Sequence, residues 1–280
     1  MVLKEIKDDR KLQIFIGSII IIIIFIIIYG LYDWIVNSPT KIYLVSKTRN
    51  GNYIQTTDSY TGKIMKKNSY QEFQNKDLPL PKYGNGYTYS LWLNVNDWEY
   101  NYGKPKHIFS KGDRECISVN PGVWLYPKDN NLMIRIDSFD RINKNSKSMN
   151  PSLNQNLNTQ DKCDLIKLPL QRWNHIVIVL NNKILDVYLN GKLARSCEYD
   201  GPPLFNTQPL HITDKGGFGG LLGELVYYNS PLDASKIYKL YSLGNKTYNL
   251  LNKINNIKPK IHISTGINNH NITLGNPIPN

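Results

Sequence analysis

The dipeptide Asn190-Gly191 lies between two short runs, LDVYL and KLARS, and constrains the fold of this chain more than any other feature. A two-residue type I′ turn needs positive φ at both central positions, which Asn and Gly tolerate, so the dipeptide dictates a tight antiparallel hairpin. In the register it sets, Leu189 faces Lys192, Val187 faces Ala194, and Asp186 sits opposite Arg195 as a cross-strand ion pair worth roughly 0.2–1 kcal/mol. Upstream, residues 173–180 (WNHIVIVL) form a near-continuous apolar run that suits a strand buried on both faces. Asn181-Asn182 supplies the turn into 184–189. Three consecutive antiparallel strands over 168–197 point to an all-β sandwich.

The same residues carry a family resemblance. RWNHIVIVL and LDVYLNGKLA are flanked by YTYSLWLNVNDW (87–98), KHIFSKGD (106–113), PGVWLYPKDNNLMIRI (121–136) and GGFGGLLGELVYYNSPLDASKIYKLY (216–241). Each block alone is weak, but their order and spacing over 82–245 resemble the laminin-G-like, concanavalin A-like lectin/glucanase sandwich. The set is most similar to membrane-tethered members of that family encoded by large nucleocytoplasmic DNA viruses, and the wealth of Ile, Asn and Lys agrees with an AT-rich genome. The resemblance implies an antiparallel jelly roll and a binding role. It also implies a rim where Asp and Asn oxygens hold calcium in related domains. Here the oxygen-rich loops are at Asp113, at Asp129-Asn130-Asn131 and at Asp214, with no recognisable ligand series for an ion that wants six to eight oxygens. No other cofactor is expected.

Residues 12–32 contain no charged side chain and are dominated by isoleucine. About 21 residues at 1.5 Å each give a helix of about 31 Å, which matches a bilayer core of about 30 Å. In lipid every backbone group must be satisfied within the segment, so helix prevails over the modest helix propensity of isoleucine. A cleaved signal peptide has a shorter apolar region, and Tyr29, Tyr32 and Trp34 follow the run like an interfacial aromatic belt. Lys4, Lys7, Arg10 and Lys11 precede the span, while Lys41, Lys47 and Arg49 follow at greater distance. That one-charge margin favours a cytosolic N-terminus.

The organisation expected is a basic segment at 1–11, a transmembrane helix at 12–34 and a stalk at 35–81. The sandwich follows at 82–245 and an extended arm at 246–280. Within the stalk, 41–46 reads as a short strand and 53–65 as a loose hairpin, either of which could lie on the sandwich. Within the sandwich, 221–228 reads as one strand and 235–243 as a short helix closed by Gly244. Residues 137–161 form a long polar insertion, and 216–220 (GGFGG) a flexible connection between strands.

A formal net charge of +12 invites a nucleic-acid reading, but the basic residues are scattered and match no nucleic-acid motif. Anionic headgroups, acidic glycans or an acidic protein fit such a surface better. Three cysteines allow at most one internal disulfide; Cys163 with Cys197 is favoured because both flank the central meander, three reduced thiols being the alternative.

Glycoside hydrolysis needs two carboxyl groups about 5–9.5 Å apart, and no strand carries an acidic repeat; Glu224, Glu115 and Glu198 stand alone. The five histidines show no metal-ligand spacing, His175 reads as a satisfied core histidine, and Ser110 lacks a nucleophile-elbow context. A non-enzymatic role is therefore expected. Tyr100, Tyr102 and Tyr126 are candidate glycan contacts, and Arg141, Lys144 and Lys147 give the insertion a basic surface for an acidic partner. Asn245 and Asn271 begin glycosylation sequons. The leading expectation is a single-pass, membrane-anchored interaction protein of a large DNA virus particle, docking to coat proteins or the internal membrane. The alternative is a lectin-like adhesion module.

Overall fold

A computed structural model of the chain describes residues 2–37, 40–57, 64–82, 84–139, 149–152 and 161–245. It opens with α1 (Val2–Asn37), in which Phe15–Tyr32 has a mean hydropathy of 2.8 and none of its length buried. This is the one described helix long and apolar enough to cross a bilayer.

Among the described residues fifteen strands follow in order: β1 (Lys41–Val45), β2 (Arg49–Asn50), β3 (Tyr53–Thr57), β4 (Ile64–Asn68), β5 (Gln71–Phe73), β6 (Tyr87–Asp97), β7 (Lys106–Gly112), β8 (Val119–Leu125) and β9 (Leu132–Arg135). Next come β10 (Asn174–Asn181), β11 (Ile184–Leu189), β12 (Lys192–Glu198), β13 (Leu210–Ile212), β14 (Gly219–Leu222) and β15 (Leu225–Tyr228), before α2 (Ala234–Leu243). One sheet runs β1-β15-β6-β10-β11-β12, with β14 also on β6 and carrying β2. The second runs β5-β13-β7-β8-β9, and β3 with β4 makes a separate hairpin. All pairings are antiparallel.

Strand periodicity builds the core. Tyr89, Leu91 and Leu93 of β6 and Ile176, Ile178 and Leu180 of β10 point inward, against Phe109, Val123, Leu125 and Ile134 of the second sheet. The intervening Val177 and Val179 point outward and pack with Val226, Tyr228 and Ile237 of α2. The apolar run at 173–180 is thus covered on one side by a sheet and on the other by a helix. Asp233 caps α2 by accepting the Lys236 N–H at 2.8 Å, and Gly244 ends it with φ 69°.

The meander forms with its turn as expected: Asn190 and Gly191 have φ of 51° and 78°, and Leu189 faces Lys192. Two residues on, the register departs from expectation. A β-bulge lets Tyr188 face Leu193 while Val187 faces Arg195 and Asp186 faces Ser196. Asp186 therefore accepts the Ser196 hydroxyl at 2.6 Å, and the Arg195 guanidinium donates to the Ala194 carbonyl. The expected Asp186–Arg195 pair is replaced by these contacts.

Of the two readings open for 35–81, a stalk or strands laid on the sandwich, the pairing agrees with the second, since the segment supplies β1 and β2 to one sheet and β5 to the other. Two other expectations are corrected. The single strand expected at 221–228 breaks at Gly223, whose N–H bonds the Trp92 carbonyl at 2.7 Å, leaving β14 and β15 one after the other along β6. Nor is the glycine-rich stretch loose: Gly217, Phe218, Gly219 and Gly220 are buried, and a Cβ on Gly217 would lie 1.9 Å from the Gly51 carbonyl oxygen.

Cys163 and Cys197 form a disulfide with Cα atoms 5.8 Å apart, and Cys116 is a third, buried thiol. Of the long insertion, 149–152 folds back onto the outer face of the second sheet, where Met149 packs with Trp124, Tyr126 and Met133. Residues 140–148 and 153–160, including Arg141, Lys144 and Lys147, lie outside the described residues, as do 246–280 and Asn271.

Candidate functional site

One concavity opens at one end of the sandwich, where the two sheets part. Here β6 begins, β15 and β7 end, and β8 begins, so Tyr87, Tyr89, Tyr227, Lys111 and Asn120 converge in a crevice. The connection through Leu80 and the loop carrying Phe205 form its two lips, with those side chains 65% and 51% exposed. Both lips are held from within. The Tyr227 hydroxyl donates to the Pro79 carbonyl at 3.1 Å, the Tyr87 hydroxyl donates to Asn120 Oδ1 at 2.6 Å, and the Asn120 amide donates to the Leu204 carbonyl.

Lys111 is the charge of this crevice. Its ammonium donates to Asn75 Oδ1 (2.9 Å), to the Asn206 carbonyl (3.0 Å) and Oδ1 (3.2 Å), and to the Gln208 carbonyl (2.8 Å). All four acceptors are neutral, and burial of the cation pulls its pKa down to about 8. Deeper in, Tyr89 is fully buried with its hydroxyl unpartnered, and burial holds its pKa well above the usual phenol value. A neutral O–H donor without an acceptor costs about 1–3 kcal/mol in such a place, which a ligand oxygen or water would recover. Among the described residues no carboxylate lines the crevice.

A second cluster looks catalytic but is not wired for it. His107 Nε2 lies 2.9 Å from Ser110 Oγ, the spacing of a nucleophile and its base. However, the Asp214 backbone N–H donates to His107 Nδ1 at 3.0 Å, so Nδ1 is the acceptor and Nε2 carries the proton. The imidazole thus donates to Ser110 and cannot take its proton. Burial lowers the His107 pKa to about 3, and Ser110 has no exposed surface.

The structure separates the residues that sequence reasoning grouped. Tyr126 is 2% exposed and its hydroxyl donates to Asp164 inside the second sheet's outer cluster, which corrects its assignment as a glycan contact. Tyr100 is half-buried and donates to the Gly216 carbonyl at 2.8 Å, a framework bond. Tyr102 alone of the three is exposed. Asn245 is 4% exposed with its amide 3.4 Å from Thr48 Oγ1, so its nitrogen is not presented for glycosylation. The calcium loops fall apart as well. Asp113 and Asp129 flank opposite ends of β8, and Asp113 spends its carboxylate on the N–H groups of Ile117 and Ser118. Among the described residues no group of three or more His, Cys, Asp or Glu side chains could hold a metal ion.

A family model described as the concanavalin A-like lectin/glucanases superfamily matches residues 65–238. No curated protein matches the chain. Among solved structures, the chain is similar to the binding domain of Paraclostridial Mosquitocidal Protein 1, with 16% identity and a TM-score of 0.45, over 70% of this chain and 47% of that one. It is also similar to the binding domain of botulinum neurotoxin DC in complex with rat synaptotagmin II (13%, 0.43, 71% and 46%) and to the receptor-binding domain of the botulinum neurotoxin C/D mosaic serotype (13%, 0.45, 74% and 47%). The chain spans about half the length of these structures.

Proposed function

The chain belongs to the concanavalin A-like lectin/glucanases superfamily, and on that premise we propose that it is a non-catalytic, membrane-anchored module whose end crevice binds a glycan. The observation that carries this reading is the crevice itself. Its lining carries the polar side chains of Lys111, Asn75 and Asn206, and its lip presents the exposed Phe205 ring. Sugars need both, a hydrogen-bond donor or acceptor for their hydroxyls and an apolar face for their C–H surface. The Lys111 ammonium gives the crevice a positive field that suits an acidic sugar. With no carboxylate in the lining, the crevice holds neither the acid nor the base of glycoside hydrolysis.

The anchor reading rests on Phe15–Tyr32, eighteen uncharged residues of mean hydropathy 2.8 with none of their length buried. A structural role in a virus particle draws its support from the resemblance of the sequence alone, and the arm at 246–280 assigned to coat docking lies outside the described residues.

Screening of the detergent-solubilised full chain on a glycan array tests the proposal. Specific binding is expected, reduced at least tenfold by Phe205→Ala and unchanged by Tyr102→Ala. A silent array, or binding indifferent to Phe205→Ala, would sink it.

A further inference from the structure

A second pocket lies on the outer face of the larger sheet, between α2 and the edge strand β1. Cross-strand register lays out its floor. Glu224 precedes β15 at the level of Trp92, which faces His175 across β6 and β10, while Tyr43 faces Val226, which in turn faces Ser90. Lys41 faces Tyr228, four residues beyond Glu224, so an acid and a base stand at opposite ends, about 13 Å apart along the strand before their side chains lean inward. Leu240 and Leu243 of α2 form the far wall.

Two observations mark the pocket as a ligand site rather than a packing gap. His175 is 1% exposed, its Nε2 meets Ser90 Oγ at 2.9 Å, and its Nδ1 has no hydrogen-bond partner. A buried imidazole nitrogen left unanswered beside an open pocket calls for a polar occupant. The second observation is position. α1 ends at Asn37 and β1 begins at Lys41, a reach of about 14 Å at most even when fully extended. If α1 spans a bilayer, the Lys41 end of the pocket is therefore tethered within the headgroup zone or just outside it.

We infer that this pocket receives the zwitterionic headgroup of an amine-bearing membrane phospholipid, with Lys41 on the phosphate and Glu224 on the ammonium. Tyr43 and Trp92 wall the space between, with the Lys41 ammonium 5.4 Å from the centre of the Tyr43 ring and the Trp92 ring packed against His175 and Tyr241. The inference rests on the anchor reading given above but not on the glycan crevice, which lies at the end of the sandwich.

Calorimetric titration of the full chain, held in a polyoxyethylene detergent, with glycerophosphoethanolamine tests it. Saturable binding is expected, weakened about tenfold by Lys41→Ala and likewise by Glu224→Gln. Inorganic phosphate alone and ethanolamine alone are expected to bind at least tenfold more weakly than the joined headgroup. Glycan binding at the Phe205 crevice should be unaltered in both variants. Absence of saturable binding would overturn the inference. So would phosphate binding as tightly as the headgroup, wild-type affinity in both variants, or displacement by simple sugars. A chain that binds the headgroup yet washes off vesicles in carbonate loses its anchor and keeps its pocket; one that stays on the membrane without binding loses only the pocket.

Discussion

Asp164 Oδ1 lies 2.6 Å from Nη1 of Arg135, and both side chains are 3% exposed or less. The same carboxylate accepts the backbone N–H of Ile134 at 3.0 Å and of Asp161 at 2.8 Å, and receives the Tyr126 hydroxyl. One acid thus fixes the last strand of the second sheet to the segment that carries Cys163, where the long insertion returns. A buried pair adds little net stability when complete, because desolvation offsets the attraction, but losing one partner strands the other charge.

Asp164→Ala is therefore expected to destabilise the sandwich by about 3–5 kcal/mol, seen as a lower urea midpoint with the slope unchanged. Replacement of Asp186, which is half-buried and accepts the Ser196 hydroxyl, should change the midpoint by less than about 0.5 kcal/mol. Equal effects from the two would show that the Arg135 network does not hold the insertion's return.

Glycine substitutions separate a turn requirement from a packing requirement. Gly191 has φ 78°, and a Cβ there would meet the Tyr241 ring at 2.9 Å, a neighbour that can swing aside. Gly217 has φ 62°, and its Cβ would meet the Gly51 carbonyl oxygen at 1.9 Å, a backbone atom that cannot. Gly191→Ala should cost about 1–2 kcal/mol for the left-handed backbone. Gly217→Ala should add a further 1–3 kcal/mol or so for overpacking, giving the lower melting temperature of the two. The reverse order would mean that the β2–β14 seam is looser than its geometry.

The meander was legible because its signals are local: Asn-Gly demands one turn, and an apolar run of eight residues demands cover on both faces. The bulge beside it was not. Whether Ala194 is paired or skipped depends on how β11 twists, and alanine fits either way. The strands β2 and β5 were hidden for a different reason. They are short edge strands whose partners β14 and β13 lie far along the chain, and Arg49-Asn50 carries no pattern of its own. The crevice escaped notice because Lys111 sits in the run KHIFSKG like any outward lysine, while its acceptors come from Asn75, Asn206 and Gln208, separated by 36, 95 and 97 positions.

The anchor reading predicts that the full chain resists carbonate extraction from membranes. Lysines placed at Ile22 and Ile24 fall mid-helix, where each charge costs about 2.5–3.5 kcal/mol on insertion. The Ile22→Lys, Ile24→Lys double variant should appear in the soluble fraction or fail to insert, while its sandwich stays folded. Persistent membrane association of that variant would place the membrane contact elsewhere in the chain.

Acid should destabilise the sandwich through two histidines. Burial lowers the His107 pKa to about 3 and that of His175 to about 4, both below the value near 6.5 expected when unfolded. Because the unfolded chain takes up these protons first, the stability the neutral rings contribute is fully present above pH 6.5. It falls as pH drops toward 4, where His175 begins to titrate in the fold, and continues to fall toward 3 for His107. Between pH 6.5 and 4 each ring contributes a slope of up to about 1.4 kcal/mol per pH unit. The expected observation is a melting temperature that declines steadily over this interval, with imidazole resonances of both rings still reporting the neutral form at pH 5. A melting temperature flat from pH 6.5 to 4.5, or either ring found charged at pH 5 in the folded protein, would show that the cavity around His175 or the Asp214 contact to His107 is open to water.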